Sequence, residues 1–211
     1  MPKSSDYSAG KIESTIKPVL DRLMEPFKHI QIDPDRLYSR NHLWLQRKSH
    51  HRWRLGLDLF AAGILGQVSE IIYPTYSDIQ PRGSQLLWIN HMNGMIMIRS
   101  PVAATAMQKN QQLRDTPSHL LADPLGEGWL VDGDYRIDED QEYIIPNDLS
   151  ARWMNQELEW LFQELKQQIL TKIEHGMGET LEDGGVYVTD IHTALGPLAH
   201  RDLVNRVINL P

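Results

Sequence analysis

The stretch from Trp88 to Val102, WINHMNGMIMIRSPV, decides how this chain is read. Two apolar runs flank Asn93-Gly94. Asn-Gly between alternating hydrophobics is a strong local signal for a two-residue hairpin, because both turn residues must tolerate positive φ. The expectation is a β-hairpin whose tip points away from both strands. After the turn, Met95 and Met97 alternate with Ile96 and Ile98, so one pair faces a core and the other faces outward. The sequence leaves open which.

Composition bounds what such a hairpin belongs to. With 211 residues, 41% hydrophobic and 23% charged, the chain has the make-up of an ordinary globular protein with one sizeable core. A formal charge of -7 argues against non-specific nucleic-acid binding, which needs a concentrated basic face, and the one basic cluster, from Arg47-Lys48 to Arg54, is short. The absence of cysteine removes disulfides, thiolate zinc sites and a cysteine nucleophile, and fits a reducing compartment. The opening MPKSSDYSAGKIES has no apolar targeting core, and no run approaches the roughly 18 apolar residues of a membrane span. A cytoplasmic protein with no membrane span is expected.

Outward from the hairpin the chain divides into four segments. Ile12, Ile16, Val19, Leu20, Leu23 and Met24 recur at helical spacing, which predicts an N-terminal helical arm within residues 1–36, bent near Pro18 and ending by Pro26. Residues 37–135 read as a β body: short β-type runs separated by the turn signals SDIQPRG, NG and ADPLGEG, with one helical insertion, LDLFAAGILG. An acidic linker spans 136–149. The run DGDYRIDEDQE that leads into it lacks the alternate spacing and closing bidentate Glu of a calcium loop. Residues 150–211 read as a helical extension. Met154, Leu158, Leu161, Phe162, Leu165, Ile169 and Ile173 form a helical stripe from a Ser150 cap to Gly176. GGVYVTDIHTAL then suggests a short strand, and GPLAHRDLVNRVINLP a final helix with Leu198, Leu203, Val204, Val207 and Ile208 inward.

The β body resembles the H protein of the glycine cleavage system, the carrier that holds a lipoyl group on a lysine. The resemblance opens at YSRNHLW, with Tyr38, His42 and Trp44 in a Tyr-x-x-x-His-x-Trp pattern, and runs on through GLDLFAAGILGQVSEIIYP. Gly83 matches the glycine before the carrier hairpin, SPVAATAMQKNQQL the return strand, and ADPLGEGWL the closing segment. The resemblance implies an α+β protein: a lipoyl/biotinyl-type β barrel-sandwich hybrid, here with an N-terminal helical arm and a C-terminal helical extension. His42 beside Trp44, and Trp129 in the closing segment, are expected to be packed structural residues.

In that family the hairpin carries Glu-Ser-x-Lys, and the lysine receives lipoate. An ungapped match from Gly83 to Pro101 places Asn90, His91, Met92 and Asn93 at those positions. Lipoylation forms an amide on a lysine ε-amine, which Asn93 lacks, and Asn90 replaces the family's Glu. The other lysines of the β body are Lys48, in the loop QRKSHHRW, and Lys109, in the return strand. Neither falls at the hairpin, so no cofactor is expected.

Other chemistry finds little footing. His50-His51, with His42 and His91, offer imidazoles, but adjacent strand histidines point to opposite faces and seldom chelate one metal. No nucleophile elbow, Walker loop or dinucleotide fingerprint is present, and Asp190-x-His192 is too generic to name as catalytic. The expected function is a non-lipoylated, non-enzymatic docking or structural subunit of a larger protein assembly. Two alternatives stand beside it: a divergent lipoyl carrier of a glycine cleavage or related lipoate-dependent system, and an enzyme with a His-lined surface. Partner contacts are expected at Met92 and Asn93 on the hairpin and at Trp153 and Trp160, two turns apart on the long helix. One of these tryptophans is expected to clamp the helix to its own barrel and the other to meet a partner.

Overall fold

The computed structural model describes residues 14, 16–137, 141–173 and 190–209. Two antiparallel sheets form its centre. The larger has seven strands in the order β10-β1-β2-β3-β9-β8-β5, and the smaller three in the order β4-β6-β7. The strands are β1 Arg36–Ser39, β2 Leu43–Arg47, β3 Arg52–Leu57, β4 Val68–Ile72, β5 Ile79–Gln80, β6 Gln85–His91, β7 Gly94–Arg99, β8 Ala104–Lys109, β9 Val131–Tyr135 and β10 Ile144–Ile145.

Helices close the sheets. Residues 16–23 form α1, followed by a 3-10 turn at Glu25–Phe27 where Pro26 interrupts the α-helical ladder. Ile16, Leu20, Leu23 and Phe27 from this arm are buried in the main core. The expected insertion is α2, Leu59–Leu65, capped by the Asp58 carboxylate accepting from Ala61 N at 2.8 Å. Two short helices that the β-type pattern conceals, α3 Gln111–Asp115 and α4 His119–Ala122, precede the Asp123-Pro124 turn. The protein is thus α+β, with a β barrel-sandwich body and helices at both ends.

The region expected as a linker is partly ordered sheet. Ile144 and Ile145 pair with Ser39 and Tyr38, making β10 the edge of the seven-stranded sheet. Both isoleucines are buried, which ties the chain down where the acidic run alone gave no reason for a strand.

The long helix α5 runs from Asn147 to Lys172. It starts three residues before the expected Ser150 cap, because Pro146 sets the extended entry and Ser150 sits inside the helix, its hydroxyl donating to the Pro146 carbonyl at 3.1 Å. Met154, Leu161, Leu165 and Ile169 are buried, as the stripe predicts. The predicted strand from Gly184 falls outside the described residues up to Thr189. Its remaining part is not strand: Asp190 caps a short helix, α6 Ile191–Leu195, by accepting from Thr193 N at 2.9 Å. The final helix α7, Pro197–Ile208, buries Leu203, Val204, Val207 and Ile208, but Leu198 is 68% exposed and His200 takes the inward position in its place.

A second, small core lies around Tyr38, Trp44 and Ile145, with Trp129, Leu125 and Trp153 packed against it. Trp44 lies across its neighbour Gly56 on β3, where a Cβ would come within 2.4 Å of the indole. Its Nε1 donates to the Pro124 carbonyl at 3.0 Å, and the Arg54 guanidinium lies 4.3 Å from the Trp129 ring. The aromatic positions of the opening and closing segments therefore hold structure.

Candidate functional site

The hairpin forms as β6 and β7, but its turn lies one residue earlier than expected. His91 pairs with Gly94, so the two loop residues are Met92 and Asn93. Neither has positive φ; Gly94, at φ 146°, takes the conformation that only glycine adopts without strain. The alternation on β7 resolves with it: Ile96 and Ile98 are buried, and Met95 and Met97 face outward.

The tip does not stand free. Helix α7 crosses it, and the Asn93 side-chain amide nitrogen lies 2.8 Å from Nδ1 of His200. Nε2 of His200 lies 2.8 Å from the Ile64 carbonyl at the end of α2. A carbonyl oxygen only accepts, so Nε2 carries the proton, and the bare Nδ1 accepts from Asn93. His200 is fully buried, and burial holds it below the usual imidazole value. His91, 3% exposed, has its ring centroid 5.8 Å from that of His200; burial first, then the neighbouring imidazole, pushes it down to about 4. A Cβ at Gly94 would sit 3.5 Å from Arg201 Cδ, so α7 lies against the turn itself. Gly66, at φ 73°, ends α2 where a Cβ would press on Met92 Sδ at 3.0 Å.

Met92 remains 40% exposed on the open side of the tip, whereas Asn93 and Asn90 are half-buried. The Asn90 carbonyl accepts from the Ser69 hydroxyl at 3.1 Å.

The two tryptophans of α5 part company. Trp153 packs against both cores, its ring 4.8 Å from His42, whose other face stacks on Phe60 at 4.6 Å. His42, in the turn between β1 and β2 at φ 57°, lies with Nδ1 2.8 Å from Asp58 Oδ2 and Nε2 3.9 Å from Glu157 Oε2. Burial opposes a charge on His42, but the Asp58 carboxylate, by proximity and hydrogen bond, with Glu157 behind it, outweighs that cost and lifts its pKa to about 9. Trp153 and Glu157 thus clamp α5 onto the β body around a charged, buried imidazole. Trp160, half-buried like Trp153, packs against the main core alone, with one face covered by the Arg206 guanidinium at 4.3 Å; it borders a cleft shared with Arg40, His42 and Gln156.

Helix α7 therefore connects the two places expected to act, with His200 at Asn93 and Arg206 at Trp160. His200 escaped the sequence reading, although it sits three, four and seven residues before Leu203, Val204 and Val207 and so continues their stripe. A histidine on an apolar helix face was the available signal. His50 and His51 lie in the turn between β2 and β3 with ring centroids 4.2 Å apart, and among the described residues no group of three His, Cys, Asp or Glu side chains is placed to hold a metal. Lys48 lies in that same turn, and Lys109 ends β8, with Nζ 5.3 Å from the Tyr76 ring; both belong to the seven-stranded sheet and not to the hairpin. Among the described residues no helix is long and apolar enough to cross a membrane.

Comparison with known proteins matches residues 36–152 to the family model described as "Glycine cleavage H-protein". A glycine cleavage system H protein of Bifidobacterium longum is 30% identical over 120 residues, covering 56% of this chain and 85% of that protein. One from a Cyanothece species is 33% identical over 97 residues, 46% of this chain and 72% of that protein. A crystal structure of a glycine cleavage system H protein from Mycobacterium marinum aligns with a TM-score of 0.45 and 21% identity over 50% of this chain and 87% of that one. The α5–α7 extension, apart from the first turns of α5, lies beyond the matched residues.

Proposed function

The chain belongs to the glycine cleavage H-protein family, and we propose that it serves as a non-lipoylated docking or structural subunit of a larger protein assembly, without an enzymatic reaction of its own. The observation that carries this reading is Asn93. It stands where the family's carriers have the modified lysine, and its side chain is spent on a hydrogen bond to His200 of α7. A carrier arm has to swing from an exposed anchor, whereas this tip lies under a helix whose inner face is buried. Met92, Asn93, Trp153 and Trp160 are the proposed partner residues. Direct contact is proposed for Met92, which is 40% exposed, and for the cleft side of Trp160, with Asn93 and Trp153 holding those surfaces in place. A cytoplasmic setting without nucleic acid goes with the proposal.

Family membership itself supports one other reading, a divergent lipoyl carrier modified at Lys48 or Lys109. Intact mass of the protein from lipoate-replete cells separates the two. An unmodified mass is expected, and a stoichiometric lipoyl adduct on either lysine would overturn the proposal.

A further inference from the structure

The sheet that carries the hairpin has a second face, which neither core uses. Its inner face is Ile71, Ile89 and Ile96, each at most 2% exposed. On the outer face the strand register sets Glu70, Asn90 and Met95 in one row and Ile72, Trp88 and Met97 in the next; beyond a register shift between Gln85 and Leu87, Arg99 continues the outward alternation of β7. Met95 is 57% and Ile72 37% exposed, and Trp88 and Met97 are half-buried. Among the described residues none of these four apolar side chains packs against either core. A tryptophan thus stands at the centre of a small apolar face over which no element is laid among the described residues. Tryptophan and methionine are the side chains that interface centres favour.

We propose that this face joins two copies of the chain. The charges at its corners select that occupant. Glu70 and Arg99 lie diagonally opposite one another about Trp88; both are exposed, and neither has an ion-pair partner among the described residues. The Arg99 Nη1 donates to the Gly83 carbonyl at 2.9 Å, which fixes the guanidinium at its corner. A partner of one sign would leave one corner unmatched, whereas a second copy supplies both. A two-fold axis lying in the plane of the face, through Trp88 and perpendicular to the Glu70–Arg99 diagonal, sets each Glu70 over the other copy's Arg99 and Trp88 against Trp88. The strands of the two copies then cross steeply, in the orthogonal manner of sheet packing. Three strands about 4.8 Å apart and some six residues long present only about 300 Å² per copy, well under the roughly 800 Å² of a standard interface, so the dimer is weak. This inference stands apart from whether the hairpin carries lipoate.

Sedimentation velocity of the full chain from about 5 to 500 μM tests it. The expected result is reversible dimerisation with a dissociation constant in the tens of micromolar. Trp88→Ala and Met95→Glu should each abolish it while leaving the far-UV circular dichroism unchanged; Met95, the more exposed, serves if the tryptophan variant fails to fold. Arg99→Glu and Glu70→Arg should each weaken association about tenfold or more, and the double exchange should recover most of it. A chain that stays monomeric at 500 μM, a dimer that survives Met95→Glu, or a double exchange no better than the single variants would overturn the proposal.

Discussion

The amide nitrogen of Asn93 and Nδ1 of His200 lie 2.8 Å apart across 107 residues of chain. Through this contact the last helix holds the turn of the β6–β7 hairpin. Because the other imidazole nitrogen lies against the Ile64 carbonyl, one buried ring joins α2, the hairpin and α7.

Loss of that ring should cost more than loss of the amide. His200→Ala strands the Ile64 carbonyl and leaves a cavity in a fully buried site, for an expected loss of about 2–4 kcal/mol, whereas Asn93→Ala, at a half-buried position, should cost about 1 kcal/mol. Denaturant unfolding of the two variants measures the difference. Equal losses would mean that His200 is no anchor.

Asn93→Lys alone should not restore lipoylation. The new side chain would emerge beneath α7, beside His200 and Arg201, and Asn90 still lacks the family's carboxylate. Incubation with lipoate ligase followed by intact mass reads the result directly. Efficient modification of the single variant would show that α7 leaves the tip open.

Trp153 and Trp160 should separate under truncation. Trp153→Ala takes a ring away from both cores and removes a wall of the His42 pocket, and should cost about 3 kcal/mol or more of stability, while Trp160→Ala, which leaves the second core and that pocket untouched, should cost under about 1.5 kcal/mol. If the tip and the cleft are partner surfaces, Met92→Asp and Trp160→Ala should reduce recovery of a co-purifying protein with the thermal midpoint almost unmoved.

Stability should peak near neutral pH and fall on both sides, for opposite reasons. His42 is charged in the fold, and its pKa is raised to about 9, so its contribution is complete below the unfolded value near 6.5 and is lost as pH climbs through 9. Over that span it amounts to at most about 3 kcal/mol. His91 and His200 are both held neutral, so their contribution is complete above 6.5; that of His91 is lost as pH falls towards 4, and that of His200 is likewise lost on the acid side. Thermal midpoints from pH 4 to 10 should trace this dome, and His42→Gln should flatten the alkaline limb while lowering the whole curve.

Much of this was legible in the sequence because the signals are local. Turn residues between alternating apolar runs gave the hairpin, the 3.6-residue stripe gave α5, and the Asp58-capped LFAAGIL segment gave α2. The order of Tyr38, His42, Trp44, Gly83 and the Asp-Pro turn gave the family and the β body. The same ungapped count along the chain is what sets Asn93 against the family's lysine in the proposed reading.

What the tertiary structure decided is which faces are covered, since that depends on partners far apart in sequence. Alternation on β7 is symmetric, so only the packing of Ile96 and Ile98 into the core turned Met95 and Met97 outward. The spacing of Trp153 and Trp160 is equally neutral; the charged His42 between Asp58 and Glu157 chose Trp153 as the clamp. β10 took its place at the sheet edge because β1 offered open backbone groups there, a fact no property of the acidic run contains. The sequence alone determined that the hairpin has no lysine to modify; the placement of α7 decided that its tip is held by a buried histidine.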